Sequence, residues 1–186
     1  MKKSEIRRLV KNHKALLGES DRVDAARSVF DRLERLAAFL VADNVLMYNS
    51  LPDELSTREF LDKWSGRKRF FLPRVNGVDL DVLPFDRTRL HLGAFRIEEP
   101  EGDDVVDLAT IDLVVVPAIA YDRHGNRVGR GKGYYDRLLS RMNAVTVGVG
   151  YDFQLVEDVE VEPHDRPVDI VITPSGVFRA YSSAKS

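Results

Sequence analysis

The chain has 186 residues and a formal net charge of −2, with 28 Lys and Arg against 30 Asp and Glu. That balance offers no global field for nucleic acid or anionic lipid, and the length predicts one domain, 1–186, able to bury roughly 70% of its unfolded surface. No cysteine is present, which excludes disulfides, thiolate metal sites and a cysteine nucleophile. No apolar run reaches membrane-spanning length and no signal-type apolar segment follows the charged N-terminus, so a cytoplasmic protein with no membrane partner is expected.

Residues 2–17 carry Ile6, Leu9, Val10, Leu16 and Leu17 at helical spacing. The opposite face is basic: Lys2, Lys3, Arg7, Arg8, Lys11 and Lys14. A solvated helix face accounts for such charges. A nucleic-acid-binding module would want interleaved aromatics and a second basic patch, and the sequence supplies neither. Gly18 ends this helix, Ser20 or Asp21 caps the next, and Ala26, Val29, Phe30, Leu33, Leu36 and Leu40 place a second helix over 23–40. A strand at 45–48, a loop at 49–56 and a helix at 57–64 follow. Glu54 lies in that loop, at the carboxyl end of a strand, where ligands gather in open α/β sheets; an acid favoured by the dipole of the coming helix is the plainer account.

Strands at 69–72 and 79–83, joined by a tight turn at Asn76-Gly77, read as a hairpin. Residues 85–97 show no clear period. The acidic run 101–107 fails the EF-hand pattern and reads as a solvated loop. Residues 111–116 form a nearly unbroken β-branched run, as expected of a strand covered on both faces of a parallel sheet. Further on come a helix over 132–142, a strand over 144–149, a turn at 151–154, a short extended piece at 159–161, a strand over 170–173 and a frayed tail at 182–186. Strands alternating with helices predict an α/β layered domain with a mostly parallel central sheet and one inserted β-hairpin.

The most informative stretch runs over 114–139, VVVPAIAYDRHGNRVGRGKGYYDRLL. It passes from buried strand through a polar turn to Gly129, Gly131 and Gly133, flanked by Arg127, Arg130 and Lys132, and then to Tyr134, Tyr135 and Asp136. Glycines let backbone N–H groups approach a ligand closely, and a helix start adds unpaired donors. With three cations nearby, this reads as a phosphate cradle. It is neither a Walker A loop nor a dinucleotide fingerprint, since Tyr134 stands where a third spaced glycine would be needed. On spacing alone a tight structural loop remains the competing account. The four histidines show no zinc spacing, and no nucleophile motif accompanies His164.

Pro117, Tyr121, Asp122, Gly125, Arg127, Val128 and the run 129–136 together resemble the signature of the 5-formyltetrahydrofolate cyclo-ligase (methenyltetrahydrofolate synthetase) family. Other stretches resemble the same family in the same order. They are Lys3-Ser-Glu-Ile6-Arg7, Ser50 to Thr57 with Glu54 inside it, Leu72-Pro73-Arg74, Gly93 to Pro100, and His164-Asp165 to Asp169. Arg96 departs from the family's usual second glycine.

The resemblance implies a three-layer α/β/α sandwich and an ATP- and Mg2+-dependent ligase acting on a reduced folate, expected as a monomer. It places ATP on Lys3, Arg7, Arg127, Gly129, Arg130, Gly131, Lys132, Gly133, Tyr134 and Tyr135. It places the folate on Asn49, Glu54 and Tyr135, catalysis on Lys132 and Tyr134, and magnesium on Asp136 and Asp165, with Asp165 favoured over Asp169. The residue types suit these tasks: a carboxylate accepts two N–H bonds from an amino-pyrimidinone edge, and Mg2+ needs few carboxylates beside phosphate and water. A related enzyme acting on another small formylated or carboxylated substrate is the alternative, because Glu54 carries much of the folate assignment.

Overall fold

The computed structural model describes residues 1–93 and 97–180. Arg96 and the tail 182–186 lie outside them. In chain order the helices and strands are α1 (Lys3–Ala15), α2 (Glu19–Glu34), α3 (Ala37–Val41), β1 (Asn44–Leu46), α4 (Arg58–Trp64), β2 (Arg69–Asn76), β3 (Asp79–Pro84), β4 (Leu90–Leu92), β5 (Glu98–Pro100), β6 (Leu113–Val116), β7 (Ala120–Tyr121), β8 (Arg127–Val128), α5 (Tyr134–Leu139), β9 (Val145–Val149), β10 (Ile170–Thr173) and β11 (Gly176–Arg179).

Seven strands form one sheet in the order β11-β10-β9-β6-β1-β2-β3. The pairs β10–β9, β9–β6, β6–β1 and β1–β2 are parallel. The two edge pairs, β10–β11 and β2–β3, are antiparallel. This is the α/β fold with a mostly parallel sheet that the alternating pattern predicts. All four residues of β6 are buried, which is why its sequence carries no alternation.

The pleat sorts strand residues onto two faces. Val45, Phe70, Leu72, Leu113, Val115, Val147, Ile170 and Ile172 pack with α2, α3 and α4 through Val29, Phe30, Leu33, Phe39, Phe60 and Leu61. Leu46, Phe71, Val114, Val116 and Val171 face the other way and pack with Leu138 and Leu139 of α5. A third, smaller cluster lies apart from both: Ile6 and Val10 of α1 pack on Ala120 and Val128 of the β7–β8 hairpin and on Val159. That cluster fixes α1 to the stretch carrying the glycine motif.

Several boundaries differ from the sequence expectation, each for a local reason. The helix expected over 23–40 starts earlier, at Glu19, where the Asp21 carboxylate accepts the Gly18 N–H at 3.0 Å. It breaks at Leu36, which is extended at φ −66°, ψ 137°, and α3 then turns Phe39 fully into the core against Phe60 and Trp64. Strand β2 runs on through Pro73 to Asn76 because β1 pairs only with Arg69, Phe70 and Phe71, so the missing proline N–H interrupts no ladder on that side. The hairpin turn is Gly77-Val78, one residue later than expected, with Gly77 at φ 65°. A second hairpin, β4–β5, emerges from the patternless region. Its anchor is buried Glu99, whose Oε2 accepts the Val75 N–H at 2.7 Å. The helix expected over 132–142 shrinks to six residues, since Gly133 takes the left-handed conformation at φ 71°.

Gly148 of β9 lies directly beneath the Tyr121 ring: a Cβ there would meet Tyr121 Cε1 at 2.3 Å. The ring is fully buried and its hydroxyl donates to the Val116 carbonyl, so it is poorly placed to yield. Gly148→Ala should therefore destabilise the protein by about 1–3 kcal/mol through overpacking, read as a lower urea midpoint at unchanged m-value.

Candidate active site

The functional candidates gather beyond the carboxyl ends of the parallel strands. From β1 the chain enters the loop holding Asn49, Asp53 and Glu54. From β6 it passes through the β7–β8 hairpin into the glycine loop and α5. Helix α1 lies across the hairpin.

The hairpin turn is built on buried Asp122. Its Oδ1 accepts the His124 and Asn126 N–H groups at 2.9 and 3.0 Å, and its Oδ2 accepts the Asn126 side-chain amide and the Val159 N–H at 3.0 and 3.1 Å. Gly125 completes the turn at φ 81°, where a side chain would run into the Val168 carbonyl. This turn delivers Arg127 inward. The Arg127 side chain is 5% exposed and donates to Asp136 Oδ1 at 2.7 Å and to the Arg166 carbonyl at 3.3 Å. The Arg166 N–H returns to the same Asp136 oxygen at 3.0 Å. Residues 127 and 136 flank the glycine loop, so the pair closes its two ends.

Helix α1 supplies the next contacts. Arg7 Nε donates to the Gly129 carbonyl at 3.0 Å. Lys3 Nζ lies 2.6 Å from Asp165 Oδ2, which also accepts the Glu162 N–H at 2.9 Å. Burial opposes ionisation of Asp165, yet the Lys3 bond, the Glu162 amide and nearby charge hold its carboxyl below the usual range. Asp136, His164 and Asp165 each offer one ligand atom, and these atoms lie within 4.8 Å of one another. Two carboxylates at that spacing fit a hard divalent cation, although both now accept protein cations. Asp169 is turned elsewhere: its Oδ2 accepts the Thr146 N–H and hydroxyl at 3.0 and 3.1 Å.

The other end of the glycine loop meets the loop after β1. Arg130 reaches Asp53 Oδ1 at 3.2 Å and Glu54 Oε2 at 3.7 Å. The Glu54 side chain is 11% exposed, and its Oε1 accepts the Leu51 N–H at 2.9 Å. Burial pushes its carboxyl above the ordinary value; the Leu51 amide and the Arg130 charge offset only part of that effect. The Tyr135 phenol is pushed up by burial first and then by the Glu54 charge, which places the two side chains in one electrostatic neighbourhood. Glu54 also lines a narrow cavity with Tyr48, Leu55, Pro117, Ala118, Val149 and Gln154.

The structure thus brings Lys3, Arg7, Arg127, Asp136 and Asp165 into one network, and Glu54, Arg130 and Tyr135 into an adjoining one. Lys132 lies on the glycine loop and Tyr134 opens α5: the Lys132 carbonyl accepts Arg137 at 2.7 Å, and the Arg137 guanidinium sits 5.5 Å from the Tyr134 ring centre. Asn49 stands to one side, its amide 3.3 Å from the carbonyl and Oε2 of Glu98 in β5. Two residues absent from the sequence-derived site belong to it spatially, Lys14 and Asp53, whose charged atoms are 3.5 Å apart. The basic residues expected on the face opposite Ile6 and Val10 do not all lie there: Lys14 is buried with them, and Lys3 and Arg7 are partly buried against Asp165 and the Gly129 carbonyl.

Because burial raises the Glu54 carboxyl in the folded state, the native protein holds that proton more tightly than the unfolded chain does. Above both pKa values the ionised form therefore costs stability. Glu54→Gln should leave Tm at neutral pH equal to or above wild type. The difference should close as pH falls below the ordinary glutamate value of about 4.3. A Glu54→Gln protein less stable than wild type at pH 7 by calorimetry contradicts this account.

A sequence model of the 5-formyltetrahydrofolate cyclo-ligase family matches residues 1–174. The chain is 30% identical over 182 residues to the 5-formyltetrahydrofolate cyclo-ligase of Haemophilus influenzae, covering 92% of this chain and 97% of that protein. It is 29% identical over 180 residues to that of Escherichia coli K12, covering 91% and 99%. The solved structure of Aquifex aeolicus 5,10-methenyltetrahydrofolate synthetase superposes with a TM-score of 0.88 at 32% identity, over 99% of this chain and 95% of that one. That of the Mycoplasma pneumoniae synthetase shares the fold, with a TM-score of 0.75 at 20% identity over 94% and 99%. With the family match spanning nearly the whole sequence, the chain belongs to the 5-formyltetrahydrofolate cyclo-ligase family, a family of ligases.

Proposed function

We propose that this protein cyclises 5-formyltetrahydrofolate to 5,10-methenyltetrahydrofolate at the expense of ATP, with Mg2+ required and ADP and phosphate released. The observation carrying this reading is the junction of the two networks. A buried carboxylate, suited to an amino-pyrimidinone edge, lies 3.7 Å from an arginine of a cationic glycine loop. A folate head group and a polyphosphate would therefore be held side by side.

The chemical difficulty is the leaving group. N10 of the substrate must attack the N5-formyl carbon, and an amide oxygen leaves poorly. Transfer of the γ-phosphoryl group to that oxygen gives a phosphorylated imidate. The N10–C bond then forms, the C–O bond breaks with its electrons going to phosphate, and the N10 proton is lost to solvent. Such phosphoryl transfer depends on positioning and charge stabilisation rather than covalent help.

Lys3, Arg7, Arg127, Arg130 and the backbone of residues 129–133 would hold the nucleotide. Lys132 would face the formyl oxygen and the transferring phosphoryl group. Tyr134 and Tyr135 would pack between nucleotide and substrate, while Glu54, with Asn49 at the rim, would hold the folate. Asp136 and Asp165 would hold Mg2+, which when bound neutralises phosphate charge. Lys3 and Arg127, which neutralise those carboxylates now, would then turn toward phosphate oxygens.

The direct test is a spectrophotometric assay with 5-formyltetrahydrofolate, ATP and Mg2+, following the methenyl product, with controls omitting ATP or adding EDTA. ATP- and metal-dependent product is expected; none from a folded sample that binds ATP would redirect the assignment to another small substrate. Lys132→Ala should lower kcat by about a hundredfold or more, a larger effect than it has on folding, and an unchanged kcat in a folded protein would remove Lys132 from the chemistry. Asp136→Asn should raise both the Mg2+ concentration needed for half-maximal rate and the KM for ATP, because Arg127 loses its partner as well.

A further inference from the structure

Lys14 is a lysine where the fold has little use for one. It sits in the last turn of α1 with a side chain 7% exposed, 3.5 Å from Asp53 Oδ2. An ammonium withdrawn from water costs several kcal/mol in effective desolvation, and an apolar side chain of similar length would fill the space without that cost. Asp53 is not held by Lys14 alone. Its Oδ1 accepts Arg130 at 3.2 Å, and Arg130 extends on to Glu54 at 3.7 Å. Four charges from three parts of the chain thus form one row: α1, the loop after β1, and the glycine loop.

We propose that Lys14 is a positioning residue for the substrate site: it fixes Asp53, Asp53 fixes Arg130, and Arg130 holds the glycine loop in register with Glu54. The row couples the nucleotide half of the site to the folate half. This rests on the function proposed above for the identity of the ligands, but the coupling itself does not.

The electrostatics agree with the geometry. Burial pulls the Lys14 ammonium below the ordinary lysine value, and Asp53 and Glu54 pull it back. Burial would raise Asp53, but Lys14 and Arg130 hold it below the usual carboxylate range. Glu54 is faced by Lys14 from α1, Asp53 from its own loop, Arg130 from the glycine loop, and the phenols of Tyr48, Tyr121 and Tyr135. Among these, Lys14 and Arg130 are the groups that favour the ionised Glu54.

Lys14→Met should therefore raise the Glu54 titration midpoint, measured by 13C NMR of the side-chain carboxyl and assigned with Glu54→Gln. In steady state it should raise the KM for 5-formyltetrahydrofolate at saturating ATP by about fivefold, the factor that ~1 kcal/mol represents, with kcat within about twofold of wild type. The KM ratio should widen as pH falls, because a carboxylate of higher pKa is lost earlier on acidification. Lys11→Met, on the exposed side of the same helix, should change neither the midpoint nor KM. Asp53→Asn tests position directly: it should raise KM for 5-formyltetrahydrofolate, since Arg130 loses its anchor. A Lys14→Met protein with wild-type KM and an unmoved Glu54 midpoint overturns the proposal. So does a wild-type KM in Asp53→Asn, which decides the matter if Lys14→Met does not fold. If the wild-type protein itself fails to turn over 5-formyltetrahydrofolate, the functional proposal falls, and the Glu54 midpoints alone decide the role of Lys14.

Discussion

The glycine loop depends on one ion pair. Arg127 opens β8, the second strand of the hairpin, Asp136 lies in the first turn of α5, and their 2.7 Å contact spans the loop between them. A guanidinium this deeply buried has no water to fall back on. Truncating either partner would strand a charge at a cost of about 3–5 kcal/mol. The same Asp136 oxygen accepts the Arg166 N–H, and Arg127 donates to the Arg166 carbonyl, so the clasp also ties down the segment carrying Asp165. A loop with glycines at 129, 131 and 133 would otherwise have wide conformational freedom. The clasp restricts it at both ends while leaving the backbone between them open to a ligand.

Where the clasp sits follows from how the chain packs. The two large clusters take the two faces of the sheet. The third cluster holds α1 against the β7–β8 hairpin. One face of a single helix can therefore serve two purposes. Ile6 and Val10 are buried in the packing, while Lys3, Arg7 and Lys14 on the adjoining stripe reach Asp165, the Gly129 carbonyl and Asp53. Removing the apolar contacts would release three cations from the site at once.

Much of this was legible in the sequence, and what was not has a common cause. The buried run of β6, the helical period of α2 and the glycine stretch are local patterns, and each gives the right element in the right order. Element ends were less legible because tertiary packing sets them: Leu36 turns out of helical geometry so that Phe39 can enter the core, and Gly133 delays α5. The β4–β5 hairpin escaped because Glu99, a poor strand candidate, is buried by bonding to the Val75 N–H. In the site, Lys3, Arg7, Glu54 and Arg127 were legible from motifs, whereas Lys14 and Asp53 were not. A charge on a helix face does not reveal what will pack on it, and Asp53 is nearly forty residues away along the chain.

The pairing pattern also explains how a protein of net charge −2 could receive a polyanion. Around the glycine loop, cations are matched locally by carboxylates: Lys3 with Asp165, Arg127 with Asp136, Arg130 and Lys14 with Asp53. Matched this way, the repulsion between closely spaced cations is offset in the folded protein, and the site needs no excess positive charge to persist. Under the proposed function, a nucleotide that brings its own divalent cation would enter by exchange. Its phosphates would take Lys3 and Arg127, its metal would take Asp136 and Asp165, and Asp53 would keep Lys14, so no carboxylate is left without a counter-charge. Phosphate without the metal would draw Lys3 and Arg127 away and leave two carboxylates uncompensated. On that proposal, a metal requirement would belong to the protein's own charge pairs as much as to the chemistry of phosphoryl transfer.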